Sequence, residues 1–416
     1  MSFDISALFR PNLPAPAAAP FKGFPKYNFV GGHNDAASVP VEGLSAAATK
    51  VIKREGRTLA TYGLNSGPQG YRPLRQFIAD WMAECADMTD NADDILITSG
   101  SLQALDLVNK LLVGPDDFVI AEEATYGGAL SRLRKLGVPY LGVRLDEDGI
   151  DPAHLAELLA AHRDAGNPVK FIYTIPTVQN PTGGVMPVER RRQLLDLAAE
   201  FDCLIFEDDC YADLVWTGVR PPTIRALDAA AAQAEGRPNR VIYCGSFSKS
   251  IAPALRVGFI MADWPVLAQI LPLKTDAGTG ALEQMVLAEF CKDHFADHLT
   301  TLRARLREKC DATIAALEEN FGTAATFTAP LGGIFIWVTL PENVDTKQLE
   351  RAALKEGIAI NPGAEWTVEG RENRHRMRLC FGHPEMAEIR EGIARLASVC
   401  HREFGAPKRI SNIEQS

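Results

Sequence analysis

The stretch Tyr243–Gly258, YCGSFSKSIAPALRVG, gathers the most reactive side chains of the sequence. Ser246 and Ser248 flank Phe247, Lys249 follows, and Arg256 lies seven residues further on. Hydroxyls donate to anionic oxygens, a guanidinium offers a planar fork to the same group, and a lysine amine condenses with a carbonyl. A carbonyl cofactor that carries an anionic group would use all of them together. The competing reading is a surface lysine in a polar loop, because Ser-x-Ser-Lys is short and common.

Further groupings fall where strands end. Ser99–Gly100–Ser101–Leu102–Gln103 opens a helix, whose first N–H groups have no intrahelical partner and favour a phosphate; a capping serine without ligand is the alternative. Tyr126, beside Gly127–Gly128, either lies flat on a planar ring or packs as a loop tyrosine. In Asn180–Pro181–Thr182–Gly183 a turn explains the proline and glycine, and leaves the asparagine amide to donate to a phenolate oxygen. Glu207–Asp208–Asp209–Cys210–Tyr211 follows an apolar strand. A carboxylate there needs a positive partner, such as a protonated ring nitrogen, or else caps a helix. Arg378, inside the apolar run MRLCF, wants a carboxylate that is either structural or part of a substrate.

These groups must be held by the elements around them. Strands over Ile95–Thr98, Phe118–Ala121, Val169–Thr174, Leu204–Glu207 and Arg240–Tyr243 alternate with helices over Leu102–Leu112, through Leu136 and over Val188–Glu200. Such units predict an α/β layer with a mostly parallel sheet covered on both faces, and ligands at the carboxyl ends of its strands. After about Lys274 the pattern changes to a long helix over Leu282–Asn320, strands over Gly332–Leu340 and Arg376–Phe381, and helices over Thr346–Glu356 and Met386–Phe404. The expected division is a flexible arm over 1–28, centred on the proline- and alanine-rich run Pro11–Pro20, a large domain over 29–280 and a small α+β domain over 281–416. Residues 29–45 are able to join the small domain.

The whole chain has 416 residues, 46% of them hydrophobic and 23% charged, with a net charge of -10. That acidic balance argues against nucleic acid as the main partner. No apolar run reaches membrane-spanning length and no signal sequence is visible. The scattered cysteines lack zinc-type spacing, so no metal is expected and a reducing, cytoplasmic setting is. Arg303, Arg305, Arg307 and Lys309 alternate along the long helix and read as a solvated face.

In order and composition these groupings resemble the fold-type I pyridoxal-phosphate enzymes of the class I/II aminotransferase family. The resemblance is to the branch near the 2-aminoadipate, kynurenine and aromatic aminotransferases and the aminotransferase-like half of MocR-type regulators. It runs from about Phe29 to Ala397 and is carried by YTIPTVQNPTG, EDDCY, and SFSK with its following arginine. It implies a large domain with a mostly parallel seven-stranded sheet sandwiched by helices, a smaller domain formed by the C-terminal part with the N-terminal segment, and pyridoxal 5′-phosphate as cofactor. Lys249 would hold the cofactor covalently and shuttle a proton between Cα and C4′. Asp208 would pair with the pyridinium nitrogen, Asn180 and Tyr211 would contact the 3′-oxygen, and Tyr126 would stack on the ring. Ser101, Leu102, Gln103, Ser246, Ser248 and Arg256 would surround the phosphate. Arg378 would grip the substrate α-carboxylate, helped by the Gly32 backbone and Asn180. Tyr62 would reach the phosphate site of a neighbouring subunit, which implies a homodimer.

The implied reaction moves an amino group from an L-α-amino acid to a 2-oxo acid. The same residues would serve elimination, decarboxylation or oxidative chemistry on an amino acid. A non-catalytic sensing module is the remaining class, disfavoured because only the short run before Phe29 is left for a winged helix. The branch commonly has proline at Cys210, glutamine at Leu102, a proline-containing segment at His33–Asn34–Asp35 and a bulky ring at Val178. These departures bear on the substrate pocket, and His33 itself reads as a solvent-facing turn residue or a pocket group.

Overall fold

The computed structural model describes residues 4–9, 20–21, 23–218, 220–368 and 373–407. The expected arm over Pro11–Pro20 lies almost wholly outside them.

Short runs rich in β-branched and aromatic residues form one seven-stranded sheet, buried along nearly their whole length except in the edge strand Tyr140–Val143. Its order is Ile95–Thr98, Gly258–Met261, Val241–Ser246, Leu204–Asp208, Val169–Thr174, Phe118–Glu122 and Tyr140–Val143. Neighbours pair in parallel except Gly258–Met261, which is antiparallel to both strands beside it. Thr98, Ser246, Asp208, Thr174 and Glu122 therefore end along a common edge, with helices on both faces, as a mostly parallel α/β layer requires.

Two strands of this sheet were not expected, Gly258–Met261 and Tyr140–Val143. The first hides in the sequence because it follows Arg256–Val257 with no turn signal between them. Its opening glycine answers a steric demand: a Cβ on Gly258 would stand 2.8 Å from the backbone of Gly100 and Ser101. Three expected strands also run further, Phe118–Glu122 by its closing acid. Val241–Ser246 includes the first serine of the lysine stretch, and Leu204–Asp208 includes the aspartate, so both groups are fixed by ladder hydrogen bonds.

The second layer is an antiparallel sheet in the order Phe335–Thr339, Arg376–Cys380, Asn361–Pro362. Helices Thr346–Leu354 and Met386–Phe404 accompany it. Tyr27–Asn28 pairs in parallel with Ile358–Ala359, which ties the segment before Phe29 to this layer. Helix Ala281–Phe321, 41 residues long, serves two cores. Met285, Phe295 and Leu302 pack with Leu74 and Ile78, whereas Leu317 and Phe321 pack with Ile336, Leu379 and Ile393.

The solvated face expected on that helix is corrected at Lys309, which is fully buried. Its ammonium donates to Asp35 Oδ1 at 2.9 Å and to the Gly382 carbonyl at 2.9 Å. Arg305 Nε donates to the other oxygen of Asp35 at 3.2 Å, and Arg303 Nε to the Asp213 carbonyl at 2.6 Å. Residues two apart on a helix do not share a face, whereas Arg305 and Lys309, four apart, do.

Candidate active site

A cavity of about 330 Å³ opens where the strands of the large sheet end. Strand Val241–Ser246 delivers Lys249 into it through a tight turn. The amine is buried and donates to the Gly32 carbonyl at 2.5 Å. Burial pushes its pKa down, Arg378 and Arg256 push the same way, and the Cys380 and Cys210 thiols oppose them. An amine less protonated than usual is the nucleophilic form. Glycine at position 32 leaves room for the amine, since a Cβ would stand 2.6 Å from the Lys249 nitrogen and displace it.

Asp208 ends the neighbouring strand, fully buried apart from the cavity edge, and its Oδ2 accepts from the Tyr173 hydroxyl at 2.7 Å. Burial pushes its pKa up, and among the described residues no basic side chain forms an ion pair with it. Arg378 is its opposite. It projects from strand Arg376–Cys380 and donates to Asn180 Oδ1 at 2.9 Å, the Gly31 carbonyl at 2.6 Å and Asn361 Oδ1 at 3.1 Å. All these acceptors are neutral, its Nε is buried without a partner, and burial pushes its pKa down. Isolated buried charges are costly. A cationic ring nitrogen at Asp208 and a carboxylate at Arg378 would relieve both.

At the far end of the cavity, helix Ser101–Leu112 begins after Gly100, which has φ +80°. A Cβ on Gly100 would collide with the Arg256 guanidinium, so the glycine makes room for it. Arg256 donates to the carbonyls of Ser99 at 3.0 Å and Pro253 at 3.1 Å, and Ser246 Oγ accepts from Ser248 N at 3.0 Å. Ser101, Leu102, Ser246, Ser248 and Arg256 line this end, where unpaired helix N–H groups, hydroxyls and a guanidinium suit a phosphate. The residues present thus fit pyridoxal phosphate: a place for its anion, an uncompensated carboxyl for its ring nitrogen and an amine for its carbonyl.

Gly32, Tyr126, Asn180 and Tyr211 also line the cavity. Gln103 and Tyr62 do not. Gln103 accepts from Ser99 N at 2.8 Å and donates to Asp276 at 2.7 Å, outside the cavity. Tyr62 is 90% exposed beside a separate cavity that it lines with Lys274, Asp276 and Thr279. Nor does Val178 face the site. It is fully buried against Gly332 and Gly333, at φ +56°. His33 is no free turn residue: it is half-buried, its ring 5.0 Å from Phe24 and 5.6 Å from His383, and burial pushes its pKa down.

Other residues of the site carried no motif. Glu122 is fully buried and accepts from Thr174 Oγ1 at 2.8 Å, Ile175 N at 2.9 Å, Gln179 Nε2 at 2.8 Å and Thr125 Oγ1 at 3.0 Å. It anchors the loop that carries Asn180, and an acid closing the apolar strand FVIAE was the available signal. Trp366 and Asn361 also line the cavity, from the segment between Glu356 and Arg376, to which the sequence assigns no strand or helix. The Cys210 and Cys244 thiols come within 4.8 Å of each other and of the Asp208 carboxylate, a proximity that the cysteine spacing could not reveal. No helix of the described residues is long and apolar enough to cross a membrane.

The aminotransferase class I and II family model matches residues 33–396. The aromatic-amino-acid aminotransferase 1 of Thermococcus litoralis is 35% identical over 368 residues, 88% of this chain and 85% of that one. The 2-aminoadipate transaminase of Thermus thermophilus is 34% identical over 371 residues, 89% of this chain and 88% of its own. The crystal structure of the α-aminoadipate aminotransferase LysN from Thermus thermophilus, complexed with N-(5′-phosphopyridoxyl)-L-leucine, superimposes with a TM-score of 0.83 at 33% identity. That likeness covers 91% of this chain and 93% of that one. The chain belongs to the class I and II aminotransferases, pyridoxal 5′-phosphate-dependent enzymes that pass an amino group from an amino acid to a 2-oxo acid.

Proposed function

We propose that this aminotransferase works through Lys249, Asp208 and Arg378, and that it takes an L-α-amino acid with a large apolar side chain. The observation that carries the reading is the convergence of a buried amine, an uncompensated carboxyl and an uncompensated guanidinium on one cavity. Pyridoxal phosphate, when bound, supplies a carbonyl that amines condense with and a ring that delocalises electrons. Ser101, Leu102, Ser246, Ser248 and Arg256 would hold its phosphate, Tyr126 would lie against the ring, and Asn180 with Tyr211 would serve the 3′-oxygen. Asp208 would hold the ring nitrogen in its protonated form. Arg378, with Asn180 and the Gly32 backbone, orients the substrate α-carboxylate so that Lys249 Nζ can move the proton at Cα. Val30, Ile175 and Trp366 give the cavity apolar walls, and these favour the apolar side chain.

Tyr62 is assigned to the phosphate site of a second copy, so the working unit is a homodimer. The free cysteines fit the cytoplasm. The experiment is a half-reaction screen: the cofactor-loaded protein is mixed with single amino acids, and pyridoxamine phosphate is measured without any 2-oxo acid present. Conversion with leucine, methionine or phenylalanine, and little with serine or aspartate, is the expected result. No conversion with any amino acid overturns the assignment, and preference for aspartate overturns the side-chain class alone.

A further inference from the structure

Arg378 has aromatic neighbours that no motif announced. The centroid of the Trp366 ring lies 4.0 Å from the guanidinium carbon, and that of Phe335 lies 5.2 Å away. Trp366 is only 7% exposed. It closes the short turn Gly363–Trp366, which leaves strand Asn361–Pro362, where Asn361 sits in register with Arg378. Gly363 allows that turn, since a Cβ there would collide with the carbonyls of Asn373 and Arg376. The tryptophan is also fastened to the large sheet. Its carbonyl accepts from Thr125 N at 2.8 Å, and Val368 N donates to the Glu123 carbonyl at 3.0 Å. Its other aromatic neighbour in the cavity is Tyr126, with ring centroids 6.4 Å apart.

A guanidinium stacked on an indole is held in one plane, with its N–H groups pointing outward in that plane. Here Asn180, Gly31 and Asn361 take three of them, as neutral acceptors that a carboxylate can compete with, and the Nε–H has no partner. The π face also offsets part of the cost of a buried cation before a carboxylate arrives. We propose that Trp366 is a positioning residue for the substrate α-carboxylate: its ring holds the Arg378 guanidinium in the plane that meets the carboxylate of amino acid and 2-oxo acid alike. This rests on the reading of Arg378 as the carboxylate grip.

The test uses the cofactor-loaded enzyme and Trp366→Phe, Trp366→Leu and Trp366→Met, since leucine and methionine keep apolar bulk without a π face. Calorimetry gives the affinity for 3-phenylpropanoate, a carboxylate without the amine, and for 2-phenylethylamine, an amine without the carboxylate. Steady-state kinetics gives kcat and KM. The leucine and methionine variants are expected to bind the acid about tenfold more weakly and to raise KM to match, with kcat within about threefold. The phenylalanine variant stays within about threefold of the parent, and the amine binds equally to all. Equal affinity of the leucine and phenylalanine variants for the acid overturns the proposal, as does equal weakening of acid and amine. Arg378→Met separates the two readings. If it leaves acid binding unchanged, the carboxylate role of Arg378 fails; if it abolishes acid binding while Trp366→Leu does not weaken it, only the role of Trp366 fails.

Discussion

At the scale of single residues, the site stores unfavourable electrostatics. Asp208 is buried with its pKa raised, so between the ordinary carboxylate range and that raised value the folded protein binds a proton that the unfolded chain has released. The contribution of Asp208 to stability is therefore unimpaired at low pH and becomes unfavourable as pH rises through that window. Cofactor-free Asp208→Asn is therefore expected to melt above the parent at pH 7, with the gap closing near pH 4, while the melting temperature gained on adding cofactor shrinks. Scanning calorimetry with and without cofactor checks both, and a parent that melts higher without cofactor at pH 7 would contradict the assignment. Lys249→Ala should lower turnover by roughly 10²–10⁴-fold or more, measured as product formed under saturating substrates. The side chains that bear chemistry were legible because few residue types can do such work, and they sat where strands end. Trp366 and Glu122 were not. Each acts through another group and carries no chemistry that its residue type announces.

At the scale of elements, the loop Ile175–Gly184 depends on one buried acid. Glu122→Ala would leave the donors of Thr174, Ile175, Gln179 and Thr125 without their acceptor. An unsatisfied buried group costs about 1–3 kcal/mol, so a loss of about 3 kcal/mol in urea unfolding is expected, together with a raised KM as Asn180 loosens. Unchanged KM would mean that the loop holds Asn180 without Glu122. Helices with long apolar periodicity, Val188–Glu200 and Met386–Phe404 among them, were legible to the residue. Gly258–Met261 was not, because its antiparallel direction is set by pairing with strands distant in sequence, which local periodicity does not encode.

At the scale of the whole molecule, helix Ala281–Phe321 joins two cores, and its buried Lys309 grips the segment that leads into the site. Lys309→Met should cost about 3–5 kcal/mol in denaturant unfolding, and adding Asp35→Asn should recover part of it, because the second change removes a buried carboxylate left with Arg305 as its one cationic partner. Full additivity would show that the pair is not coupled. If Tyr62 serves a second copy, inactive Lys249→Ala and impaired Tyr62→Ala subunits, unfolded and refolded together, should regain activity above either alone, since a mixed dimer holds one intact site. No gain on mixing would contradict that assignment. Everything converges on whether the amine of residue 249 carries the cofactor. Borohydride reduction of the loaded enzyme, digestion and mass spectrometry should place a phosphopyridoxyl group on the peptide containing Lys249. A label on any other lysine, or no label on a protein that retains activity, would contradict the account.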